Sequence, residues 1–177
     1  LRHTLQRAEK RLAKTPGYEL NIFHEPGPEL DEAIKAFVTV YNRSWKTPEP
    51  YPEFIPGLCR LAAENGWLRL GLLHLDHKPL AAQIWLVVGK QAFIVKLAYD
   101  QDFSYLSPGT VLTAALFRQV IDVDRVNLVD YLIGDDPYKQ EWMTQRRERR
   151  GIVAFNPRRW SGLFAALRHS VGKLRRR

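Results

Sequence analysis

Apolar positions along the chain follow two alternating periods, one helical and one extended. Leu1, Leu5, Ala8 and Leu12 recur at helical spacing, and the pattern stops before Thr15, Pro16 and Gly17. Residues 18–25, YELNIFHE, read as a strand, and the EPGPELDE that overlaps their end supplies a turn and an acidic helix start. Leu30, Ala33, Ile34, Phe37, Val38 and Tyr41 form one face of the next helix, which Trp45 extends. A proline-rich linker, KTPEPYP, then leads to a second helix from about Glu53 to Glu64.

After Asn65 and Gly66 the period becomes extended. WLRLGLLHL, PLAAQIWLVVG and AFIVKLAYD are three strands joined by the short turns DHK and GKQ, the spacing of an antiparallel meander. Asp76 and His77 tolerate the left-handed backbone that tight hairpins use. Next come a helix over SPGTVLTAALFRQVI, a strand over RVNLVDYLI, a helix over DPYKQEWMTQRRERR, a strand over IVAFNP and a closing helix. A helical crossover joins the fourth strand to the fifth and makes them parallel. The fold class is therefore α/β, a mostly antiparallel mixed sheet with helices on both faces.

Composition changes this picture in two places. The 177 residues, 45% hydrophobic, can bury the core of one globular domain. No run reaches about eighteen uncharged apolar residues, and the N-terminus is charged, so the reading is a soluble, cytoplasmic chain. Position 1 is Leu and the only methionine is Met143, so the chain reads as a piece of a longer protein. The net charge of +8 is uneven. Residues 146–177 hold eleven Arg or Lys against one Glu, and residues 1–14 hold five against one, which leaves a net of −6 between them. Basicity belongs to the ends, so a nucleic-acid groove on the body is not expected.

Candidate chemistry centres on YLSPGTVL, residues 105–112, at the junction of the fourth strand with the crossover helix. Ser107 suits a helix cap and Pro108 the first helical position, while Gly109 and Thr110 present amides with little side chain in the way. A helix start leaves amides unpaired and carries roughly half a positive charge, which suits phosphate. The same three residues also make an ordinary capped helix.

This arrangement resembles the GNAT acyltransferases over residues 18–157. YLSPGTVL followed by VDYLIGDDPYKQEW is similar to the branch associated with bacterial cellulose and exopolysaccharide synthesis. The resemblance implies a splayed pair of parallel strands and acetyl-CoA or another acyl-CoA as co-substrate. It also implies phosphates held at Ser107, Gly109 and Thr110, and a strand amide near Leu97 or Ala98 that polarises the thioester. Tyr138 becomes the candidate acid for the leaving thiolate. The loop departs from the better-known family pattern in having only Gly109, and related Fem-like transferases use aminoacyl-tRNA on the same fold. An inactive docking module for a membrane-bound synthase is the third reading.

Other residues carry open alternatives. Asp130 lies in an apolar strand and is either a base for the acceptor or a hydrogen-bonded anchor. Lys139 could meet a phosphate or only solvate a surface, and Gly134 reads as a positive-φ position. His74 could act as a base if it faces the cleft, and Gln83 reads as a satisfied amide within the sheet. Cys59 reads as a structural thiol. The five histidines lack metal-ligand spacing, so no metal is expected. Three segments are expected: a helix over 1–17, the acyltransferase body over 18–157 and a basic amphipathic helix over 158–177. The acceptor is read as a sugar or small molecule. The last segment could pack on its own domain or on a partner protein, or lie on the inner membrane, where apolar burial and charge attraction act together.

Overall fold

The computed structural model describes residues 2–174, without the side chains of the last two. They form two compact units that divide between Glu141 and Trp142. The first unit runs α1 (Arg2–Ala13), β1 (Tyr18–Phe23), α2 (Pro28–Arg43), α3 (Phe54–Glu64), β2 (Leu68–Leu75), β3 (Lys78–Val88), β4 (Gln91–Tyr99), α4 (Pro108–Arg118), β5 (Leu128–Asp130) and the single turn α5 (Pro137–Gln140). The second unit contains α6 (Trp160–Leu174).

The five strands lie in chain order, antiparallel from β1 to β4, with β4 parallel to β5 as the crossover requires. Asp76 and His77 take φ values of 48° and 61°, which gives the β2–β3 turn the twist its strands need. Alternation along the strands splits the core into two layers. Leu68, Leu70, Leu72, Ala82, Ile84 and Ala98 meet α2 and α3 in one hydrophobic cluster, with the fully buried Cys59 among them. Burial pushes the Cys59 thiol up to about 12, so it stays protonated and inert. On the opposite face α4 packs on β2 and β3, and α1 packs on α4. Gly71 permits this approach, because a Cβ there would lie 2.9 Å from Leu112 Cδ1.

Three sequence expectations are corrected. The fifth strand is three residues long, because Arg125 (φ 56°) and Leu132 (φ 59°) adopt left-handed backbone on either side of it. The helix expected over 136–150 stops after Gln140; continued, it would set Arg146 beside Arg149 and Arg150 at the i,i+3 and i,i+4 spacings where like charges repel. Residues 152–157 form no strand among the described residues, since the sheet ends at β5. Within the second unit the Phe155 and His169 rings lie 5.7 Å apart, and Trp160, Phe164 and Leu167 of α6 are exposed. No helix of the described residues is long and apolar enough to cross a membrane.

Gln83 ties the sheet to α4. Fully buried, it donates through Nε2 to the Gly109 carbonyl at 3.1 Å and to Thr113 Oγ1 at 2.7 Å, and its Oε1 accepts from Trp85 Nε1 at 2.9 Å. Gln83→Leu fills the same space but strands the Trp85 N–H in the core. A loss of roughly 2 kcal/mol in unfolding free energy is expected. Urea denaturation of the whole chain measures it, and an unchanged midpoint would mean that the network contributes nothing.

Candidate active site

The two parallel strands separate almost as soon as they pair. Their ladder covers only Gln91, Ala92 and Phe93 against Leu128, Val129 and Asp130. Asp130 Oδ1 accepts from the Leu132 amide at 2.7 Å, and the left-handed Leu132 then carries the chain off the line of β4. The carboxylate therefore sits at the point where the sheet opens.

A second irregularity lies on the facing strand. Ile84 pairs with Lys96 and Trp85 with Ile94, so Val95 is an extra residue that bulges β4. Beyond Phe93, β4 has no strand partner on its outer edge among the described residues, so the backbone groups that would complete a ladder there are left without one.

A cleft of about 240 Å³ fills this gap. Ile94 to Leu97 form its β4 wall, and Tyr131 to Ile133 form the wall after β5. Tyr41 and Lys46 close it on the α2 side, with Asp136, Tyr138 and Lys139 across from them. Tyr131 and Tyr138 meet edge to face at 5.9 Å. Burial first, and the nearby Asp136 carboxylate second, push the Tyr138 phenol up to about 12. Burial also raises the Tyr131 phenol, with Tyr138 adding to the effect. Both hydroxyls stay protonated at neutral pH and can only donate or accept hydrogen bonds as phenols.

Lys139 is engaged with its own loop. Its ammonium donates to the Ile133 carbonyl at 2.7 Å and to the Gly134 carbonyl at 3.4 Å, and pairs with Asp136 at 3.0 Å. The hydrogen bond from Lys139 holds the Asp136 carboxyl below its usual range against the opposing effect of burial, and the Lys139 and Lys46 charges add to it. Gly134, at φ 99°, supplies the positive dihedral expected of it.

The start of α4 lies just past the end of β4, and the loop between them is pinned. Asp100 pairs with Lys78 at 3.3 Å, and Arg11 of α1 donates to the Tyr105 carbonyl. Ser107 occupies the cap position, but its side chain makes no capping bond. Its backbone is left-handed (φ 54°, ψ 45°) rather than the extended form from which a serine caps. The Ser107 carbonyl instead accepts from the amides of Thr110 at 3.1 Å and Val111 at 3.2 Å, so the Thr110 amide is not open as the sequence suggested. The Gly109 amide has no partner among the described residues. A Cβ on Gly109 would lie 3.1 Å from Tyr99 Cδ1, so the glycine lets the helix start meet the strand end closely.

Of the residues singled out in the sequence, Leu97, Tyr138 and Lys139 line the cleft. Ala98 lies in the core beneath α2, Asp130 sits where the strands part, and Ser107, Gly109 and Thr110 sit beyond the cleft at the helix start. His74 pairs with Glu19 on β1, at the far side of the sheet, so it does not face the cleft. Tyr41, Lys46, Glu49 and Lys96 escaped the sequence reading. Lys96 Nζ donates to Glu49 Oε2 at 2.7 Å and lies 3.5 Å from the Tyr41 hydroxyl. Burial alone would lower its pKa, but the bond to Glu49 and the contacts with Tyr41 outweigh that and raise it. A lysine inside the apolar run AFIVKLAYD gave the same signal as Asp130. Lys46 and Glu49 gave none, lying in what reads as a linker. Among the described residues no cluster of His, Cys, Asp and Glu could hold a metal ion.

Comparison with known proteins places this geometry. Residues 1–140 match the family described as an acetyltransferase (GNAT) domain. Among solved structures, an aminoglycoside acetyltransferase from an uncultured soil metagenomic sample, in complex with sisomicin, aligns at 16% identity. It covers 79% of this chain and 95% of its own, with a TM-score of 0.51. AAC(6')-Iy, in complex with the bisubstrate analogue CoA-S-monomethyl-acetylneamine, aligns at 8% identity over 77% of this chain and 99% of its own, with a TM-score of 0.57. The ribosomal-protein-S18-alanine N-acetyltransferase of Escherichia coli matches at 16% identity over 59% of this chain, which spans only 61% of that structure, with a TM-score of 0.47. No curated protein matches the sequence significantly. The five-stranded sheet with its parted parallel pair and the match over most of the chain agree: the chain belongs to the GNAT acetyltransferase family.

Proposed function

We propose that this chain transfers an acetyl group from acetyl-CoA to an amine of a small, sugar-like acceptor, in the assembly of a polysaccharide or another envelope component. The observation that carries the reading is the cleft between β4 and β5, together with a helix start beyond the end of β4 whose Gly109 amide has no partner among the described residues. The residues fit the donor. A phosphate would meet the Gly109 amide at the positive end of α4, where the residue itself carries no side chain. The arm behind it would lie against the unpaired edge of β4 at Leu97. Bound acetyl-CoA supplies an activated thioester there.

The chain's own groups then divide the work. An unpaired β4 amide near Leu97 hydrogen-bonds the carbonyl oxygen as negative charge develops on it. As the acceptor amine attacks the thioester carbon and the C–S bond breaks, the Tyr138 hydroxyl gives its proton to the departing sulfur, and the proton that the amine sheds restores the phenol through water. Asp130 acts as a positioning residue, because its carboxylate fixes the turn that opens the cleft. Lys139 braces the loop that carries Tyr138, since its hydrogens are committed to Ile133, Gly134 and Asp136.

Calorimetric titration of the whole chain with acetyl-CoA tests the reading. One saturable site is expected, with thiol release on addition of amino sugars. Absence of both binding and release would overturn it.

A further inference from the structure

The segment between α2 and α3 is fastened to the sheet at two points. The Trp45 ring lies 4.8 Å from that of Tyr99 at the end of β4, and Glu49 is paired with Lys96 at 2.7 Å. Between these anchors the chain delivers Lys46 to the cleft wall. Three ammonium groups thus line one cavity, and two of them are neutralised. Lys96 belongs to Glu49, and Lys139 belongs to Asp136. Lys46 has no carboxylate within ion-pair distance among the described residues, and its Nζ rests 5.1 Å from the centre of the Trp45 ring. Its field reaches Asp136, but that carboxylate is already held by Lys139.

We propose that Lys46 determines acceptor specificity by binding an anionic group, phosphate or carboxylate, that the acceptor carries near its nucleophile. The inference rests on reading this cleft as the acceptor side of an acetyltransferase. A half-buried ammonium held over an indole, without a counter-ion, attracts an anion more strongly than an exposed lysine does. A polycationic acceptor meets uncompensated repulsion at the same place. Charge complementarity of this kind excludes wrong partners as effectively as it favours right ones. The donor's phosphates have their own seat at the start of α4, which leaves Lys46 for the acceptor.

The test compares glucosamine, glucosamine 6-phosphate and glucosaminuronic acid at saturating acetyl-CoA, with ligand-observed NMR of each sugar as a readout independent of turnover. The wild-type chain is expected to favour at least one acidic sugar over glucosamine by roughly tenfold or more in kcat/KM, and to bind it more tightly by NMR. The better of the two acidic sugars identifies the anion. Lys46→Gln is expected to bring the ratio close to one through KM for the acidic sugar, and Lys46→Glu to reverse it. Equal kcat/KM for all three sugars would overturn the proposal, as would a ratio unchanged in Lys46→Gln. A rise in the KM for acetyl-CoA instead would assign Lys46 to the donor and overturn it too. No acetyl-CoA binding and no thiol release with any sugar would bring down the acetyltransferase reading beneath it.

Discussion

Tyr138→Phe is expected to lower the turnover of acetyl transfer by roughly 100-fold, the lower end of what a positioned general acid contributes, while acetyl-CoA binds as before. The variant keeps the ring, and with it the edge-to-face contact with Tyr131 at 5.9 Å, so the wall of the cleft survives. Only the proton donor is lost. Because burial and Asp136 push the phenol up to about 12, the hydroxyl remains protonated across the neutral and mildly alkaline range. Its loss of function through ionisation lies above that range, so wild-type turnover carries no descending limb from this residue up to about pH 10. The variant's profile is therefore lower throughout and not displaced. Steady-state thiol release from pH 6 to 10, paired with calorimetry for donor affinity, measures both halves. Equal turnover in the two proteins would remove Tyr138 from the chemistry.

Much of the scaffold is legible from local pattern, and the residues explain why. Two-residue turns such as Asp76 and His77, between runs with period two, leave little room for anything but a meander. The crossover from β4 to β5 forces parallel pairing, whereas the parting of the two strands was implied only by the resemblance to the GNAT acyltransferases. What failed was set by backbone angles that composition does not announce. Arg125 and Leu132 turn left-handed although neither is glycine, and they cut the nine residues that read as a strand to three paired ones. Ser107 takes the same unusual backbone, which removes its side chain from the cap it seemed made for. The wall of the cleft on the α2 side was illegible for a different reason. Glu49 meets Lys96 across 47 positions in sequence, and a contact of that range leaves no periodic trace in either segment. Lys96 carried a signal that the sequence reading passed over, since a charge in an apolar strand needs a partner wherever it occurs.

A second large effect is expected at the donor end. Gly109→Leu is expected to weaken acetyl-CoA binding by at least about 100-fold, or roughly 2.8 kcal/mol at 1.4 kcal/mol per tenfold change. The reason is the scarcity of free donors at this helix start. Pro108 has no amide hydrogen, and the amides of Thr110 and Val111 both return to the Ser107 carbonyl, so the Gly109 N–H is the group left to meet a phosphate. Leucine would cover that group, and its Cβ would stand 3.1 Å from Tyr99, whose ring is in turn packed against Trp45. The helix itself has no reason to fail. Leucine is a better helix former than glycine by up to about 1 kcal/mol, and the Gly109 carbonyl that Gln83 and Thr113 hold is a backbone group that the substitution keeps. Donor affinity should therefore fall further than stability, whose added strain is the few tenths of an ångström that the Tyr99 ring must give to the new Cβ. Gly109→Ala adds the Cβ alone and is expected to fall between. Wild-type affinity in the leucine variant would mean that the phosphates rest elsewhere and that the helix start is only a helix start.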